Sequence, residues 1–78
     1  NPITTFKFDI PSSLEGSQKV LLLIYDVKGR VVDTLLKQEL IPGTYKVKWY
    51  AKDYASGVYF AQLRYGEMIK NQKVIFLK

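Results

Sequence analysis

The chain contains no cysteine and no histidine. Without cysteine there is no disulfide, no thiolate nucleophile and no zinc knuckle, and the absence fits any compartment. Without histidine, Ser12, Ser13, Ser17 and Ser56 lack the usual base that would activate a serine. Long apolar runs are also missing. The longest, VLLLIY at 20–25, has the length of a strand and falls far short of a membrane span. The chain does not open on methionine or on a basic-then-apolar leader, so we expect a piece of a longer precursor, with any signal peptide far upstream. A chain of 78 residues makes one domain at most, and a core of that size supplies only about 3–5 kcal/mol net. Packing of aliphatic and aromatic side chains has to supply it.

Charge is lopsided, at a formal +5. A basic balance raises the prospect of nucleic acid or an anionic surface as partner. The lysines and arginines are nonetheless spread from Lys7 to Lys78 with no basic run, and many alternate with apolar residues. That pattern describes the solvated face of a strand, where lysine also discourages edge-to-edge pairing. In KVKWYAK alternation sets Trp49 opposite Lys48, which does not give the mixed aromatic and basic face that binds single strands. No nucleic-acid partner is expected.

The dominant period is two. Phe6, Phe8 and Ile10 alternate with Thr5, Lys7 and Asp9, and Pro11 ends that strand before a polar loop at 12–18. KVLLLIYDV is apolar on both faces and belongs at the centre of a sheet. Lys28-Gly29 turns it into VVDTLL, giving a hairpin over residues 19–36, with Gly29 at positive φ. LLKQELI at 35–41 reads as a strand end and loop. IPGT has the chemistry of a type II turn, Pro42 presetting φ and Gly43 taking the positive value. Tyr45, Val47 and Trp49 then share one face. AKDYAS reads as a polar loop. In GVYFAQLRY, Tyr59, Ala61, Leu63 and Tyr65 form one face and Val58, Phe60, Gln62 and Arg64 the other. A tight turn near Gly66 leads to MIKNQKVIFLK, the last strand. Six or seven short antiparallel strands with regular turn signals predict an all-β sandwich or small barrel. Trp49 and Phe60 are the expected large inner residues.

Catalysis fails on inventory. The acids are Asp9, Glu15, Asp26, Asp33, Glu39, Asp53 and Glu67, scattered through strands and turns, with no spacing that forces two together. Asp26 and Asp53 sit beside turns, where aspartate usually bonds local backbone. There is no phosphate-binding glycine loop and no calcium loop. We expect no enzyme, no metal, no cofactor and no small-molecule substrate.

With these landmarks placed, the whole chain resembles the type A C-terminal sorting domains of the bacterial type IX secretion system. The resemblance rests on Asn1-Pro2 and the strand that follows, on Tyr25, Asp26, Gly29 and Arg30, and on Leu40, Pro42, Gly43 and Tyr45. It continues through Ser56-Gly57-Val58-Tyr59 and closes on Lys73-Val74-Ile75-Phe76-Leu77-Lys78. Each element alone is weak; all of them in order are specific. Only YAKDYA stands between the tryptophan strand and Ser56, where many relatives carry a longer glycine- and aspartate-rich loop, so nothing is carried over for that loop.

The resemblance implies an immunoglobulin-like β-sandwich spanning 1–78. It further implies an address for an upstream passenger, which passes through the periplasm and the outer-membrane translocon to the surface or beyond. A sortase then removes the domain and the passenger can be anchored. Residues 73–78 are implied as the segment read by translocon and sortase, through a strand edge, while Asp26, Gly29, Arg30, Pro42, Gly43, Tyr45, Gly57 and Tyr59 set shape. An unpaired edge could also pair with a second copy. Composition and period by themselves stop at a small basic sandwich, which would equally suit an accessory spacer or a carbohydrate-binding module of a secreted enzyme.

Overall fold

Alternation along the sequence becomes strand after strand. The computed structural model describes residues 3–12, 16–51 and 53–77. It contains β1 Ile3–Ile10, β2 Gln18–Tyr25, β3 Val31–Leu40, β4 Gly43–Tyr50, β5 Gly57–Tyr65 and β6 Met68–Phe76, with no helix among the described residues. The motif residues Asn1, Pro2 and Lys78 lie outside them.

β1 and β4 pair antiparallel, and a second antiparallel sheet runs β3-β2-β5-β6. The hairpins β2–β3 and β5–β6 share that larger sheet, and the chain crosses to the smaller one for β4 and back. β3, β2, β5 and β6 therefore occupy the places of strands C′, C, F and G of an immunoglobulin sandwich, with β1 and β4 in those of B and E. As its two apolar faces suggest, β2 is central, flanked by β3 and β5.

The core lies between the sheets. Val20, Leu22 and Ile24 of β2 and Tyr59, Ala61, Leu63 and Tyr65 of β5 face Phe6 and Ile10 of β1 and Trp49 of β4. Val74 and Phe76 of β6 complete it on one side. Trp49 is wholly buried, at 0% exposure, and its ring meets Tyr54, Tyr59 and Phe76 with centroids 5.6, 5.2 and 6.3 Å away. Aromatic contacts of this kind add about 0.5–1.5 kcal/mol each beyond the area they bury. Among the described residues the small sheet stops at β1, leaving a groove of about 440 Å³ between β1 and β6 that is floored by Leu22, Ala61 and Leu63.

Four expectations need correction. Phe60 is not an inner residue: it is 36% exposed on the outer face, across from Tyr25 on β2 and Lys73 on β6. Its neighbours Tyr59 and Ala61 take the inward positions, and alternation excludes it. Residues 37–40 continue β3 instead of forming a loop, because the first half of β2 pairs there, from Gln18 with Leu40 to Leu21 with Lys37. Gly43 has φ of 156° and opens β4, far from the value near +80° that a type II turn needs. The segment at 51–56 is not simply polar. Ala51 is buried, and Tyr54 packs against the core while its hydroxyl donates to the Val32 carbonyl at 3.0 Å.

Candidate functional site

Four sequence motifs, two of which share one device, mark in three groups where a function can sit. The first is the turn between β2 and β3. Asp26 Oδ1 accepts the backbone N–H of Lys28 at 2.9 Å and of Arg30 at 3.0 Å, while Arg30 Nε donates to Oδ2 at 2.8 Å. The Gly29 N–H bonds the Asp26 carbonyl and the Asp26 N–H bonds the Arg30 carbonyl, both at 3.0 Å, with Gly29 at φ 80°. This is why aspartate, glycine and arginine occur together at that spacing. The carboxylate collects the donors that a five-residue turn leaves over, and arginine closes the ring.

These contacts hold the Asp26 carboxyl below its ordinary 3.8, chiefly through the Arg30 backbone N–H, helped by the Arg30 side chain and the Lys28 N–H. A carboxyl depressed in the fold stabilises it fully above its unfolded value and loses that contribution as pH falls through the folded one. Asp26→Asn is accordingly expected to lower the melting temperature at neutral pH. A pH series of thermal melts should show the gap from wild type narrowing below pH 3.8.

The second region is a device used twice. The Tyr45 hydroxyl donates to the Ile41 carbonyl at 2.5 Å and the Tyr59 hydroxyl to the Ala55 carbonyl at 2.6 Å, each reaching back four residues. Between tyrosine and carbonyl stands a glycine at nearly the same angle, Gly43 at φ 156° and Gly57 at 158°. That backbone lets the chain bend as it enters the strand, so that the ring folds over its own start; it is a conformation that side chains resist. Pro-Gly-Thr-Tyr and Ser-Gly-Val-Tyr are thus one piece of machinery. At Tyr59 it matches the tyrosine corner expected at the start of strand F. Tyr45 also stacks on Phe8, with centroids 5.7 Å apart.

The third region is the segment from Lys73. Among the described residues, β6 lies at the margin of the larger sheet and pairs with β5 alone. Alternation divides the segment: Val74 and Phe76 turn inward and are buried, whereas Lys73, Ile75 and Leu77 are exposed. Lys78 lies outside the described residues.

These motifs are not all neighbours. Asp26, Arg30, Gly57 and Tyr59 line one shallow hollow at one end of the sandwich, and Gly57 pairs with Phe76 beside it. Pro42, Gly43 and Tyr45 lie at the other end, where Gly43 meets Ile10.

Two residues carry roles that the sequence does not announce. Asp33 Oδ2 accepts the Trp49 indole N–H at 3.2 Å across the sheets. Tyr54 caps the core beside Trp49; burial first, then the nearby Asp33 carboxylate, raises its hydroxyl above 10.0 and keeps it a donor. An aromatic residue in so short a loop is the signal that could have found it. Among the described residues no three acids come together in a group able to hold a metal ion.

Against known proteins, the family of secretion system C-terminal sorting domains matches residues 1–77. The chain belongs to that family, the sorting domains of type IX secretion. Neither the comparison with curated proteins nor that with solved structures returned a match. Membership makes the chain a sorting signal that works with the type IX machinery on behalf of an upstream passenger bound for the cell surface or the medium. The family is one of sorting signals and not of catalysts.

Proposed function

We propose that residues 1–78 form a single folded address that directs an upstream passenger from the periplasm through the outer-membrane translocon. A sortase then removes the domain, and the passenger is released or anchored at the surface. The segment from Lys73 to Lys78 is the part presented to translocon and sortase, while Asp26, Gly29, Arg30, Pro42, Gly43, Tyr45, Gly57 and Tyr59 hold the shape that presents it.

The observation that carries this reading is the family match across residues 1–77. The marginal place of β6 supports it, because an edge strand offers unpaired backbone groups to a partner by strand addition. Lys70 and Lys73 on that strand keep copies of the domain apart without blocking a partner of opposite charge.

The test fuses the domain to a periplasm-targeted fluorescent protein in a bacterium that has type IX machinery. Fluorescence outside the cell only with the domain attached is the expected result. Equal periplasmic retention with and without it overturns the reading and leaves an accessory spacer.

A further inference from the structure

The two outer faces of the sandwich differ in chemistry. On the small sheet, Thr5, Lys7, Lys46 and Lys48 face outward and are exposed, an ordinary solvated surface. On the large sheet the register aligns Val31, Tyr25, Phe60 and Lys73 in one row, with Val58 and Ile75 beside it. Leu21 and Leu23 continue this face along β2 and are only half buried. A strand apolar on both sides is ordinarily covered on both sides; among the described residues, β2 is covered on one.

Phe60, Ile75 and Val31 are exposed large apolar residues of this face, Ile75 at 63%. Contiguous apolar surface on a small domain marks a contact site more often than scattered single residues do. One row along the strands, a polar ladder bounds it. Arg64 Nε donates to Gln62 Oε1 at 2.6 Å, and Gln62 Nε2 donates to Asn71 Oδ1 at 3.0 Å. Tyr25 joins through its hydroxyl to Gln62 at 3.3 Å.

We propose that the outer face of the β3-β2-β5-β6 sheet, centred on Phe60 and Ile75, docks a protein partner whose apolar contact surface is rimmed by acidic residues. The rim of this face argues for that occupant. Lys37, Arg64 and Lys73 stand on it; of the acids, Asp26 beside Tyr25 and Phe60 is already paired with Arg30, and Glu39 lies at the far end opposite Lys19. A symmetric pair of copies would bring these cations together, which like-charge repulsion disfavours; an acidic partner is steered in. The proposal rests on the sorting reading and adds to it: within the 73–78 segment, Lys73 and Ile75 are read as side chains of a face.

The experiment compares Phe60→Ser, Ile75→Ser and their combination with Tyr50→Ser, which is 59% exposed on the other sheet. Each variant is melted as the isolated domain and assayed for export of the fluorescent passenger. The expected result is a double variant that still melts cooperatively but exports on the order of tenfold less, with Tyr50→Ser unchanged. Lys73→Glu should reduce export as well. Ile75→Ser alone serves if Phe60→Ser compromises folding, since Ile75 is the more exposed.

Wild-type-level export by folded face variants overturns the docking proposal and leaves the sorting reading intact, whereas failure of the unaltered domain to export strikes the sorting reading itself. Flotation with vesicles of phosphatidylcholine and phosphatidylglycerol, lost in the double variant, would assign the face to lipid and overturn a protein partner. A dimer on size exclusion that Ile75→Ser dissolves would assign the face to a second copy, and the acidic partner would be overturned in that case too.

Discussion

Trp49→Ala is expected to leave the domain largely unfolded at room temperature. Truncating a fully buried tryptophan costs about 3–5 kcal/mol. A core of this size has only about 3–5 kcal/mol net to lose. The loss is not confined to one strand. Trp49 is the ring on which Tyr54, Tyr59 and Phe76 converge, so its removal loosens the loop at 51–56, the start of β5 and the end of β6 together. Trp49→Phe is milder: it keeps a ring, though a smaller one, and strips the indole N–H from Asp33. That change should cost about 1–3 kcal/mol, the penalty for a part-buried acceptor left without its donor. Urea titration followed by circular dichroism measures both, and equal midpoints for wild type and Trp49→Ala would contradict the packing described.

Phe76→Ala should be nearly as damaging, at about 3–5 kcal/mol, because this ring is 2% exposed and touches Trp49. Ile75→Ser, one residue away, should cost less than about 1 kcal/mol, since its side chain points to solvent. The contrast is measured by the same titration and depends on alternation alone. It also bears on deletion experiments. Removing residues 73–78 takes Val74 and Phe76 out of the core, so the shortened domain is expected to lose its fold, and its failure in export would report unfolding. Outward point variants are the cleaner probe of what the segment says to a partner.

Most of the architecture is legible in the sequence because a period of two needs only polar and apolar residues to be told apart. Phe6 and Ile10, Trp49 and the inward face of β5 all follow from it. Phe60 misleads because a large aromatic residue invites weighting by size, when position relative to Tyr59 and Ala61 decides. The end of β3 is hidden because Lys37, Gln38 and Glu39 look like a loop; strand β2 needs a partner there, and pairing is not written in the partner's own residues. Pro42-Gly43 carries turn chemistry, yet the chain is crossing between sheets at that point, and the glycine serves the Tyr45 contact. The partnership of Asp33 with Trp49 spans both sheets and leaves no mark on local sequence. Of the candidate site, the motifs can be read in order. Which of them share an end of the sandwich, and which side chains of the 73–78 segment face outward, requires the third dimension.

The split of that segment has a consequence for timing. In an unfolded chain Val74, Ile75, Phe76 and Leu77 are a single greasy run, open to any chaperone or protease. Once Phe76 has found Trp49, alternate residues are hidden and a sparse pattern of Lys73 and Ile75 remains on show. If that pattern is what the secretion machinery reads, the address becomes legible only when the domain has folded, and a misfolded copy carries no postmark.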